Sequence, residues 1–163
     1  DTFLKLKITL PLLTEQKKIA EILFAQDKLI ALKEKLVEEK KQYKKALMQQ
    51  LLMGRMKLPG FSKSWERIKF KKTGVLILKG QTITQKEAIP GTIPVIAGGK
   101  IPAYYCNKAN RYGKTITISA SGASAGFVNI YDEAIFASDC STIGEGNDYN
   151  IVFIYNLLLK ENA

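Results

Sequence analysis

Apolar residues in the first third of the chain recur with a helical period. Ile22, Leu29, Leu36 and Tyr43 stand seven residues apart, and Ala25, Leu32 and Ala46 each follow three residues behind a member of that row, with Glu39 interrupting. This is an a/d seam sustained over several heptads. No Gly or Pro falls between Pro11 and Gly54. The pattern therefore predicts one helix of about 40 residues, where ~11–12 is ordinary. At ~1.5 Å per residue it reaches roughly 60 Å. Thr14 is the expected N-cap, because its hydroxyl can accept from a free N–H of the first turn. Glu15 complements the positive end of the dipole. Gly54 suits the left-handed position just past the last turn, and Pro59-Gly60 prevents the helix from resuming.

The charged positions of this helix, Lys33, Glu34, Lys35, Glu38, Lys40, Lys41, Lys44 and Lys45, read as a solvated face. The seam needs a partner for Ile22, Leu29, Leu32, Leu36 and Tyr43. No second helix of matching length is predicted from the sequence. The partner is then another chain, a second copy, or a segment beyond this sequence.

After Pro59 the pattern shortens to strand length. Val75-Leu76-Ile77-Leu78 and Ile93-Pro94-Val95-Ile96-Ala97 are brief apolar runs, and residues 114–119 alternate with period two. Residues 126–131, 134–137 and 150–155 read as further strands, with residues 155–160 open to a helical reading. Phe3-Leu4-Lys5-Leu6-Lys7-Ile8 alternates too and reads as a strand leading into the helix. Gly122-Ala123-Ser124-Ala125-Gly126 reads as a tight turn, and Trp65 as packing at a domain edge. The fold class expected is α+β, a long helix followed by a mainly β domain.

Composition excludes several chemistries. The chain has 163 residues, a net charge of +10 and no His, so Ser-His-Asp and Cys-His sites are impossible. Cys106 and Cys140 form no CxxC pair and supply too few ligands for zinc. They read as free thiols in a reducing cytosol, and the expected location is cytoplasmic. The acids of 132–148 lack EF-hand spacing. Gly98-Gly99-Lys100 fails the phosphate-loop pattern, because Pro94 stands where the first Gly belongs. No run of ~18 apolar residues offers a membrane span. Neither a catalytic motif, a cofactor nor a metal site is predicted. The charge is concentrated after the helix, where Arg55, Lys57, Lys63, Arg67, Lys69, Lys71 and Lys72 stand against Glu66 alone. The remaining domain is neutral but divided, with Lys79, Lys86, Lys100, Lys108, Arg111 and Lys114 before residue 115 and most of its acids after it. A basic half beside an acidic half favours an oriented encounter with a polyanion.

The stretch Leu10-Pro11-Leu12-Leu13-Thr14-Glu15-Gln16-Lys17-Lys18-Ile19-Ala20-Glu21-Ile22-Leu23, then Asp27, the lysine-rich helix and Met48-Gln49-Gln50-Leu51-Leu52-Met53-Gly54, resembles the spacer helix of DNA specificity subunits of type I restriction-modification systems. Leu58-Pro59-Gly60-Phe61 and Trp65-Glu66 are similar to the lead-in to a target recognition domain of that family. Gly91-Thr92-Ile93-Pro94-Val95-Ile96 and Phe136-Ala137-Ser138-Asp139 also resemble segments of such a domain. The resemblance implies a terminal strand of a preceding recognition domain at 1–10, a spacer helix at 11–54, a basic linker at 55–66 and a partial target recognition domain at 67–163. The chain begins Asp1-Thr2-Phe3 without Met and reads as a fragment.

By that resemblance the partners are double-stranded DNA, modification (methyltransferase) subunits and, indirectly, a restriction subunit. The subunit is non-catalytic, and a split DNA site is read by two recognition domains joined by helices that pair antiparallel. A homodimer through the long helix stays open, as does the alternative of a coiled-coil protein-interaction module. The candidate DNA-binding residues are Lys79, Lys100, Tyr104, Tyr105, Asn107, Lys108, Arg111 and Lys114. They combine phosphate-neutralising bases with amides and aromatics suited to base edges. Core or edge packing is the competing expectation for the tyrosines. Arg111 is the first choice for a base or phosphate contact, since its planar fork bonds two acceptors at once.

Overall fold

The computed structural model describes residues 3–161. Two compact units are present, Asp1–Leu47 and Met48–Ala163. The architecture is α+β, with a long helix preceding a mainly β region of two sheets.

Helix α1 spans Leu13–Leu52 and has no buried residue. Its N-cap is Leu12, whose carbonyl accepts from the N–H groups of Glu15 and Gln16 at 2.9 Å each. Thr14 therefore lies inside the first turn and is not the cap. Gln16 Nε2 instead donates to the Pro11 carbonyl at 2.7 Å and ties the first turn to the preceding chain. At the other end Gly54 adopts φ +65°. The Gly54 N–H reaches Leu51 O at 3.1 Å and the Arg55 N–H reaches Gln50 O at 3.0 Å. These two bonds are a Schellman stop, which needs a left-handed residue and so favours glycine. The seam residues Ile22, Leu29, Leu32, Leu36 and Tyr43 are all exposed.

The strand expected over residues 3–8 is replaced by one turn of 3-10 helix at Phe3–Lys5 and an irregular segment. No strand pairs with it among the described residues, so alternation there has no ladder to join. Asp1 and Thr2 of the expected terminal strand, and Asn162 and Ala163 of the last domain, lie outside the described residues.

The region after Met48 builds a four-stranded antiparallel sheet in the order β1 (Ile77–Lys79), β7 (Cys140–Ile143), β4 (Thr115–Ser119), β5 (Val128–Tyr131). Strands β3 (Tyr104–Cys106), β2 (Ile93–Ile96) and β6 (Phe136–Ala137) form a second sheet. In it β2 runs antiparallel to β3 and parallel to β6. The chain crosses from one sheet to the other between β6 and β7, through Ser138 and Asp139 alone. Helix α2 (Ile151–Glu161) follows.

Helix α2 corrects the strand expected at 150–155. Ile151 and Ile154 are buried, and Tyr155, Leu158 and Leu159 pack on the same cluster, whereas Val152 and Phe153 are exposed. That is the helical period of 3.6. Asn150 supplies the cap, its Oδ1 accepting from the Phe153 N–H at 3.0 Å. The helix covers the four-stranded sheet through Ile116, Val128 and Ile143. A separate cluster of Val95, Cys106 and Phe136 fills one side of the smaller sheet. Ile96, Ile135, Ala137 and Cys140 pack between residues of both.

Burial pushes the Cys140 thiol up to about 11. Its folded value thus exceeds the ordinary ~8.5 of an unfolded cysteine. The stability this gives is intact below that value and is lost as pH rises toward 11. Iodoacetamide at pH 8 is expected to spare Cys140 in the folded chain and label it in urea, as mass spectrometry of the digested protein will read out. Rapid labelling of the native protein would contradict the buried placement.

Candidate nucleic-acid interface

The eight candidate residues separate into two groups. Lys79, Lys100, Tyr105, Asn107 and Lys108 are exposed. Tyr105, Asn107 and Lys108 follow one another on and just beyond β3, which is an outer strand of its sheet. Tyr105 pairs across the ladder with Pro94, lies on the face opposite Tyr104 and Cys106 because strand side chains alternate, and stays exposed there at the sheet edge. Gly91 lets the neighbouring chain approach this place closely. A Cβ there would lie 2.4 Å from Cys106 O and 2.5 Å from Asn107 Cα. Lys100, in the connection from β2 to β3, holds its Nζ 5.9 Å from the Phe127 ring centroid. That is cation–π distance, and it leaves the charge at the surface. Lys79 ends β1, with its side chain exposed and its carbonyl engaged.

The other three are occupied by the fold. Tyr104 is half-buried beside Val95 and Phe136, and its hydroxyl donates to Ile83 O at 2.7 Å. Desolvation raises its pKa, with smaller contributions from neighbouring anionic groups. Lys114 is paired with Asp132 at 2.9 Å, and that hydrogen bond raises its pKa. Arg111 is half-buried. Its Nε donates to Thr142 Oγ1 at 2.8 Å, Nη1 to Asn110 O at 2.7 Å and Nη2 to Lys79 O at 2.8 Å. The guanidinium therefore spans β1 and β7 and is a structural clamp. A contact with DNA, the role expected of it from the sequence, would have to use donors left over from these bonds.

The residue beside it, Asn110, belongs to no motif in the sequence. Asn110 Nδ2 donates to Ala137 O at 2.9 Å, and its Oδ1 accepts from the Ala137 N–H at 2.7 Å. An amide side chain here imitates a strand edge for β6. The backbone of Arg111 bridges Ile135 in the same place. Asn110 and Arg111 thus bond both sheets. The only sequence signal was an Asn-Arg pair inside a stretch rich in basic and amide side chains.

No group of three or more His, Cys, Asp or Glu side chains able to hold a metal ion occurs among the described residues. No helix among them is long and apolar enough to cross a membrane. The arrangement can present cations, an amide and an aromatic ring to a ligand from one strand edge and its flanking loops.

Residues 1–42 match the family model described as the type I restriction modification DNA specificity domain. Over that stretch the resemblance read from the sequence is borne out. Among solved structures the chain is similar to a type I restriction-modification system S subunit from M. genitalium, at 20% identity and a TM-score of 0.47, over 54% of this chain and 25% of that one. It is also similar to an HsdS subunit from Thermoanaerobacter tengcongensis, at 19% identity and a TM-score of 0.47, over 94% of this chain and 43% of that one. A third similar chain comes from a study of complex assembly and conformational transition of the type I R-M system, at 19% identity and a TM-score of 0.49. The chain spans between 25% and 43% of the length of these solved chains. No curated protein sequence matches it.

Proposed function

We propose that this chain is a non-catalytic, DNA-reading part of a type I restriction-modification specificity subunit. The observation that carries the reading is the family match over residues 1–42. Its β domain contacts double-stranded DNA at one half of a split site, through Lys79, Lys100, Tyr105, Asn107 and Lys108. Lys and Arg side chains neutralise phosphates and release counterions, and Asn and Tyr face base edges. Modification subunits dock on the assembly and a restriction subunit joins through them. The exposed seam of α1 supports a helical partner, supplied by a second copy or by a further helix of the same subunit.

The test is a selection from random duplex DNA, with the chain co-purified with a modification subunit from the same source. An enriched motif is expected, and its symmetry reports whether two copies act together. A complex that forms but enriches nothing would keep the helix as a docking element and remove DNA reading from the β domain; a chain that recruits no partner and enriches nothing would turn the reading to a coiled-coil interaction module. Within a selected site, Lys100→Glu combined with Lys108→Glu is expected to weaken binding about tenfold or more and to reduce the salt slope by about 2. An unchanged slope would remove both lysines from the phosphate contacts.

A further inference from the structure

An apolar groove of about 330 Å³ lies where α1 ends, lined by Leu51, Leu52, Leu58, Phe61, Trp65 and Phe153. Its walls are fixed by the chain itself. The Schellman stop at Gly54 turns the backbone out of the helix. Lys57 Nζ then donates to Ser62 O at 2.9 Å and Lys63 O at 2.8 Å, closing the loop that carries Leu58 and Phe61. Trp65 meets Phe153 of α2 edge to face, with centroids 6.2 Å apart and planes at 77°. Phe61 stays 72% exposed and Trp65 56%, which leaves large rings facing solvent in a place where apolar surface marks an interaction site.

The lining decides what enters. Lys57 is the polar side chain of the groove, and its ammonium is already bonded to two carbonyls. The walls are otherwise apolar, so an occupant gains by inserting apolar side chains. The segment that forms the outer wall decides the charge. Arg55 and Lys63 are exposed on it, and Arg67, Lys69, Lys71 and Lys72 follow it directly in sequence, also exposed, against the single acid Glu66. A nucleic-acid backbone has the charge but no apolar anchor, and a basic or neutral apolar segment has the anchor but not the charge.

We propose that this groove is the docking site for an acidic amphipathic helix of a partner protein. Leu or Phe side chains of the partner, one or two turns apart, fill the groove, and its carboxylates face the basic segment. None of the residues that line it is among the DNA contacts proposed above.

Trp65 is the single tryptophan, so its fluorescence reports occupancy directly. The probe is a synthetic acidic peptide with Leu and Phe on one helical face, titrated into the full chain. A saturable blue shift is expected, weakening as salt rises. Phe61→Ser should weaken it about tenfold or more. A joint Lys63→Glu, Arg67→Glu variant does the same if the Phe61 variant melts early. The acidic peptide with Ser replacing Leu and Phe, and the apolar peptide with Lys replacing its acids, should both fail. Equal binding by the Lys peptide, or no shift with the acidic one, would overturn the proposal. So would the same shift on adding duplex DNA, which would assign the groove to nucleic acid.

Discussion

Gly80→Ala is expected to destabilise the β domain by about 3–5 kcal/mol, more than adding one methyl group ordinarily costs. A Cβ at Gly80 would stand 1.8 Å from the Ser138 carbonyl oxygen and 2.8 Å from that of Ala137. Both are backbone atoms at the crossing between the sheets, so no side chain can move aside. The backbone itself must shift. That strains the bonds from the Gly80 N–H to Cys140 O at 2.8 Å and from the Gln81 N–H to Ala137 O at 2.9 Å. Gly144→Ala is the control, since a Cβ there meets nothing within 4 Å. Urea unfolding should separate the two, with a wild-type midpoint for Gly144→Ala and a much lower one for Gly80→Ala. Equal midpoints would mean that the two sheets are not in contact at Gly80.

Arg111→Ala is the second large effect, at about 2–4 kcal/mol for three hydrogen bonds from one charged group. Thr142 Oγ1 accepts from Arg111 Nε and donates to Leu78 O at 3.2 Å, so loss of the arginine also disturbs a side chain only 1% exposed. Arg111→Lys should rescue little. One ammonium cannot reach three acceptors arranged around a planar fork. The deciding comparison is stability against DNA affinity. A variant with wild-type urea midpoint and lost DNA binding would restore Arg111 to the interface and remove the clamp. A lowered midpoint, with any loss of binding recovered at low temperature, is the expected result.

The long helix was legible because its signals are local and repeated: a heptad row, no internal breaker and a glycine stop. Its start was misplaced by two residues, since Thr14 has the chemistry of a cap while the chain places Leu12 there. Strands with alternation or a bounded apolar run, such as Thr115–Ser119 and Ile93–Ile96, were also readable. Tyr104–Cys106 and Cys140–Ile143 were not. Each is short, and what makes it a strand is its partner, the preceding Ile93–Val95 for one and the distant Ile77–Lys79 with Ile116–Ser119 for the other. Residues 150–155 were misread because a short apolar run has no period of its own. Among the candidate site residues, Lys79, Lys100, Tyr105, Asn107 and Lys108 are exposed, as their polar ends favour. Charge and residue type could not show that Arg111 and Tyr104 spend their hydrogen bonds on the fold, because that depends on which carbonyls the sheets bring within reach.

The pairing of β1 with β7 has a consequence for the order of synthesis. Leu78 waits for Thr142, 64 residues later in the chain. At ~5–20 residues per second, a ribosome leaves β1 without its neighbour for about 3–13 s. Closing so long a loop must precede any return from the contact. During that interval the backbone N–H and C=O groups of Ile77–Lys79 form an unpaired strand edge on the nascent chain, a natural place for a chaperone to hold until β7 emerges.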